Sequence, residues 1–139
     1  MEMETGSSVL EELSPYNRIY VEKELITLDS LLERYPGFKK LDFLKLDVQG
    51  YELNVLQGAS ELLKLTELIL METSLAQNNR GCPLFSDVIK FMTEQDFRLL
   101  DFCSQARRKD GSLWQTDLLF IKNTSAFISK PSLDIQNWG

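Results

Sequence analysis

The residues best suited to chemistry lie close together in Leu44-Lys45-Leu46-Asp47-Val48-Gln49-Gly50-Tyr51-Glu52. Asp47 closes an apolar run, and an acid there is costly unless it is paired or functional. Gly50 breaks that run, either to permit a tight turn or to let a ligand or another backbone approach closely. Glu52 falls in the first turn of a following helical pattern, where a carboxylate suits the helix dipole, so it reads equally as a helix-start charge or a ligand contact. Tyr51 reads first as a partly buried cap and second as a stacking surface. A second acid, Glu72, closes the next apolar run, Glu67–Met71. There is no histidine anywhere in the chain, which removes serine and cysteine triads and histidine-based zinc sites. Carboxylates are left as the candidate acid–base groups.

Those acids depend on the elements that carry them. Leu41–Val48 is apolar on both faces, as in a strand of a parallel sheet. From Glu52 the period becomes helical through Leu53, Leu56, Ala59 and Leu63, and Glu67–Met71 is the next strand. This is a βαβ unit with parallel strands. In such a sheet ligands bind beyond the carboxyl ends of the strands, where Asp47 and Glu72 stand. Upstream, residues 1–18 read as loop with a short turn at Val9–Leu13. Ile19-Tyr20-Val21 reads as a short strand. Thr27 caps a helix through Leu28, Leu31 and Leu32 that Pro36-Gly37 stops. Downstream, Pro83 opens a helix with Phe85, Val88, Ile89 and Met92 on one face. Phe97–Cys103 and Leu118–Lys122 are strands of an antiparallel hairpin, with Ser104–Ser112 as the loop. The fold class is α/β, a mixed sheet with a parallel βαβ core. Residues 1–122 form one domain, and 123–139 an irregular tail.

Bulk properties narrow the partners. The chain has 139 residues, 43 % of them apolar, enough for one core. Its net charge of −6 argues against nucleic acid, which needs clustered positive charge. The one basic run, Arg107-Arg108-Lys109, reads as a solvated turn ahead of a phosphate site. Two distant cysteines and no signal peptide point to the cytoplasm, and no stretch approaches the ~20 apolar residues that span a bilayer.

Leu44–Ala59 (Leu-Lys-Leu-Asp-Val-Gln-Gly-Tyr-Glu-Leu-Asn-Val-Leu-Gln-Gly-Ala) resembles the signature of FkbM-type methyltransferases, which use S-adenosylmethionine. Gly6-Ser7-Ser8, Ile26–Leu32, Glu67–Glu72, Asp96-Phe97 and Gln115–Ile121 resemble further pieces of that family, so the likeness covers about residues 6 to 122. Asp96 stands where the family commonly has glycine. The resemblance implies a partial Rossmann-like, class I methyltransferase sheet and catalytic roles for Asp47 and Glu72. It sets Asp47, Gln49 and Gly50 against the cofactor and Tyr51 and Glu52 toward a small-molecule or glycan-type acceptor bearing a hydroxyl.

The family's glycine-rich Asp-x-Gly-Ala-Asn-x-Gly loop and its ribose acid do not occur in this sequence. The chain therefore reads as the C-terminal half of the fold, inactive alone and not binding S-adenosylmethionine alone. The alternative is a non-enzymatic remnant, or a subunit that pairs with a separate cofactor half. In either case the strand Phe43–Val48 is expected to lie at a bare sheet edge, to be covered by a homodimer contact, the N-terminal segment or the tail. A third alternative is a divalent-metal site of Asp47, Glu52 and Glu72.

Overall fold

A computed structural model of the chain describes residues 9–11, 13, 21–77 and 79–127. Four helices and four strands follow in the order α1 (Asp29–Arg34), β1 (Leu41–Leu46), α2 (Glu52–Gln57), α3 (Ser60–Leu65), β2 (Thr66–Ser74), α4 (Phe85–Glu94), β3 (Phe97–Arg107) and β4 (Leu113–Lys122). The strands form one mixed sheet in the order β1-β2-β4-β3. β1 and β2 are parallel, with Leu46 opposite Met71, and β4 runs antiparallel to both β2 and β3. The α/β class, the parallel βαβ unit and the C-terminal antiparallel hairpin are all present.

Period-two alternation sorts the sheet into faces. Leu46, Ile69, Met71, Leu118 and Phe120 join Leu53, Leu56, Leu62, Leu63, Val88 and Met92 of the helices in one core cluster. Burying each large side chain of this kind contributes about 2 kcal/mol, so the helix-covered face anchors the sheet. On the opposite face the cross-strand row Glu72–Asp117–Ser104 is polar.

Five elements differ in extent from the sequence reading. The single helix expected through Leu63 is two, because Gly58 and Ala59 leave helical geometry between α2 and α3. A clasp explains the break. The Asp29 carboxylate accepts the Glu61 and Leu62 amides at 3.1 and 2.9 Å and the Ser60 hydroxyl at 3.0 Å, capping α3 from another helix. The Asp29 amide donates to Gly58 O at 3.0 Å. Burial alone would raise the Asp29 carboxyl, but these hydrogen bonds outweigh it and hold it below its ordinary value. Lys122 Nζ closes the other end of α3, donating to the Leu63 carbonyl at 2.9 Å and to that of Lys64.

β1 stops at Leu46, two residues short of Val48, because the chain turns into the joint. β3 and β4 run on to Arg107 and back to Leu113, so the expected loop Ser104–Ser112 shrinks to a tight turn. β2 extends from Thr66 to Ser74.

Thr27 does cap α1: its hydroxyl accepts the Ser30 amide at 3.2 Å. Pro83 precedes α4, and Asp87 accepts the Leu84 amide at 2.9 Å. The strand expected at Ile19-Tyr20-Val21 falls outside the described residues except for Val21, which has no regular structure, and the turn at Val9–Leu13 falls partly outside them. No helix among the described residues is long and apolar enough to cross a membrane.

Candidate active site at the carboxyl ends of the parallel strands

The joint after β1 is a five-residue loop with two consecutive left-handed residues, Gln49 at φ 55° and Gly50 at φ 94°. Such a turn is held from outside. Glu52, 4 % exposed, turns its carboxylate back to accept the Val48 and Gly50 amides at 3.0 and 3.2 Å. Asn79 donates from the β2–α4 loop to Gln49 O. A side chain on Gly50 would put its Cβ 2.7 Å from Cys82 Cβ, so the close approach this glycine permits is to the protein's own Cys82.

The turn delivers Gln49 to the acids. Its amide donates to Asp47 Oδ1 at 3.0 Å and to Glu72 Oε1 at 3.4 Å. One residue past the Leu46–Met71 pair, Asp47 stands beside Glu72, so one amide joins the residue that follows β1 to a residue two short of the end of β2. Gln115 Nε2 donates to the same Glu72 oxygen at 2.9 Å. Lys45 Nζ pairs with Asp47 at 3.2 Å. Across the sheet Asp117 faces Glu72 and accepts the Ser104 hydroxyl at 2.6 Å.

Glu72 is the perturbed group. Burial pushes its carboxyl from an ordinary 4.5 up to about 7, and the charges of Asp47, Glu52 and Asp117 push the same way, with Lys45 opposing. A carboxyl in that range can take or give a proton near neutrality.

The structure thus brings Asp47, Gln49 and Glu72 into direct contact. Asp47 is exposed and Glu72 half-buried. Tyr51 is half-buried at the start of α2. Glu52 and Gly50 are engaged within the fold, shaping the loop. For a divalent cation, no group of three or more acids, cysteines or histidines among the described residues is arranged to hold a metal. Cys82 and Cys103 are both free thiols, the first buried and the second exposed.

Sequence reasoning missed Gln115, Asp117 and Asn79 as members of this cluster. Asp117 carried a usable signal: it is an acid entering the apolar run Leu118–Ile121, the argument that singled out Asp47. Asn79 and Gln115 carried none, being polar residues in polar surroundings.

No curated protein and no solved structure matched this chain. The Methyltransferase FkbM domain, as a family description, matches residues 2–99. That span contains β1, the joint, β2 and α4, and with them Asp47, Gln49 and Glu72. The mixed sheet is consistent with a methyltransferase-like fold, and the chain belongs to the FkbM methyltransferase family.

Proposed function

We propose that this chain carries the acceptor side of an S-adenosylmethionine-dependent O-methyl transfer site, and that the cofactor-binding side comes from residues outside this sequence, in the same polypeptide or in a partner. The observation that carries this reading is the Asp47–Gln49–Glu72 contact at the strand ends, within a chain of a methyltransferase family.

S-adenosylmethionine, when bound, supplies an electrophilic methyl group on a cationic sulfonium. The anionic rim of Asp47 and Glu72 suits a cation, so the donor edge fits. The described residues contain no run of glycine amides to cradle the rest of the cofactor, and Gly50 is occupied by Cys82. Asp47, exposed at the rim, orients the acceptor hydroxyl. Glu72 takes its proton, a role that needs the ionised form and so strengthens as pH rises through about 7. Gln49 keeps the two carboxylates in register. Alignment of acceptor and donor supplies most of the rate.

Calorimetry of residues 1–139 against S-adenosylmethionine tests the division of labour. Heats too weak to fit at millimolar cofactor are expected. Micromolar binding would overturn it. The genomic sequence upstream is a second check, since an in-frame Asp-x-Gly-Ala-Asn-x-Gly there would supply the other half.

A second reading, a non-enzymatic or pairing subunit, draws on the sheet edge. Among the described residues β1 pairs with β2 alone, and Phe43 on it is 47 % exposed. A bare apolar edge invites pairing, and a homodimer through Phe43–Val48 would cover it. Sedimentation of the chain should show a dimer that Phe43→Lys dissolves; a monomer at high micromolar concentration would sink this arrangement.

A further inference from the structure

The β3–β4 hairpin ends in a cleft of about 630 Å³ lined by Arg107, Arg108, Lys109, Asp110, Trp114 and Gln115, among others. In a chain of net charge −6, three adjacent cations against one carboxylate make this end locally positive. The carboxylate is shared: Asp110 Oδ1 accepts the Ser112 amide and hydroxyl at 2.9 and 2.6 Å, and its other oxygen makes a long, exposed ion pair with Arg108 Nε at 3.9 Å, which leaves the surplus positive charge on Arg107 and Lys109. Arg107 frames the turn, donating to Gly111 O and Gln105 Oε1, both at 3.0 Å. Arg108 lies 5.1 Å over the Trp114 ring, and Lys109 makes no ion pair among the described residues.

The cleft is tied to the acid cluster. Trp114 O accepts the Leu75 amide at 2.8 Å, fixing the wall to the end of β2. Gln115, the next residue, lines the cleft and donates to Glu72. A ligand in the cleft is one side chain away from the candidate proton acceptor.

We propose that this cleft binds an anionic group, phosphate or carboxylate, of the acceptor whose hydroxyl reaches Asp47 and Glu72. Arg108 and Lys109 supply the charge, and Trp114 supplies a flat wall for a sugar or aromatic ring. The assignment to an acceptor rests on the methyl-transfer reading above. The opposite charge of the two ends would set the acceptor's direction, its anion drawn to the cleft and repelled from the acids. A nucleic acid or an anionic membrane is disfavoured, because three cations must offset the repulsion of a chain that is acidic overall.

The test is a ¹H–¹⁵N NMR titration of the full chain at constant ionic strength with glucose 6-phosphate, glucuronate and glucose. Either anion should shift the Trp114 indole and the Arg108–Gly111 amides saturably, and the tighter one identifies the group. The double variant Arg108→Gln, Lys109→Gln should weaken that binding at least ten-fold while leaving the melting temperature unchanged, since both side chains are exposed. Shifts that are absent, that survive in the double variant, or that glucose reproduces would overturn the proposal. Because binding is read without any methyl transfer, failure here leaves the methyl-transfer reading standing, and saturable anion binding by a chain that also binds S-adenosylmethionine at micromolar concentration would fault the division of labour alone.

Discussion

The joint at Asp47–Glu52 and the tip of the β3–β4 hairpin are both sharp turns beside the same sheet, but they are held in place differently. At the joint two partners come from afar, Asn79 being 30 residues from Gln49 and Cys82 packing against Gly50, and the local carboxylate that closes the turn, Glu52, is buried. At the tip they are local and exposed: Asp110 bonds Ser112, and Arg107 bonds Gly111. A turn fixed by long-range buried partners holds its side chains in one place relative to the core, which groups meant to act on a bond require. A turn fixed by its neighbours keeps its shape but tolerates change, which suits recognition.

Two glycines sharpen this contrast. Gly50 and Gly111 have similar left-handed backbones, φ 94° and φ 85°. A Cβ on Gly111 would meet nothing within 4 Å, whereas one on Gly50 would collide with Cys82. Gly111→Ala should therefore cost only the backbone strain, about 1 kcal/mol. Gly50→Ala adds overpacking and should cost about 2–4 kcal/mol. Thermal or urea unfolding of the two variants reads the difference directly. Equal losses would mean that the joint is held no more firmly than the tip.

How much of this could be read from the sequence follows the same division. Apolar runs announce strands, so Asp47 and Glu72 could be set side by side near the carboxyl ends of the parallel pair, although β2 runs two residues past Glu72, where Thr73 and Ser74 are polar and extend no apolar run. The helix face Val88, Ile89 and Met92 was legible for the same reason. The break at Gly58 was not, because Leu53, Leu56, Ala59 and Leu63 keep helical spacing across it and the cause, Asp29, is about 30 residues upstream. The outer hairpin, 104–107 with 113–117, was also hidden. Residues 104–107 are exposed, and the two segments are mostly polar, so pairing between them leaves no apolar alternation to find.

Glu72 provides a probe of the joint that works through pH. Its folded value of about 7 lies above the ordinary 4.5, so the native state holds the proton more tightly than the unfolded chain. The stability this lends is complete below pH 4.5 and is lost as pH rises through about 7. Glu72→Gln removes the titration and keeps an oxygen for Gln115. The variant should match the parent near pH 4.5 and exceed it at pH 8 by roughly 1–2 kcal/mol, a figure discounted for partial solvent screening. A hairpin-tip change such as Asp110→Asn should show no such crossover between those pH values. A flat difference for Glu72→Gln would mean that neither burial nor the neighbouring acids raise the Glu72 carboxyl.

The smallest expected effect concerns the α4–β3 turn, where an aspartate holds a left-handed position. Asp96 links α4 to β3 at φ 66°, a conformation that glycine adopts freely and aspartate tolerates better than most. Asn123 secures it from the end of β4, its side-chain amide donating to Asp96 Oδ1 and its backbone amide to Asp96 O, both at 2.9 Å. The turn thus has a backbone requirement that glycine meets freely, and Asp96 meets it with an added hydrogen bond. Asp96→Ala loses both the tolerance and the bond and should cost about 1 kcal/mol. Asp96→Gly exchanges relief of strain for the lost bond and a freer unfolded chain, and should stay within about 0.5 kcal/mol of the parent. Denaturant midpoints of the pair separate backbone from side chain: equal losses would assign the position to the Asn123 bond, and a loss in alanine alone assigns it to the left-handed turn, as at Gly111.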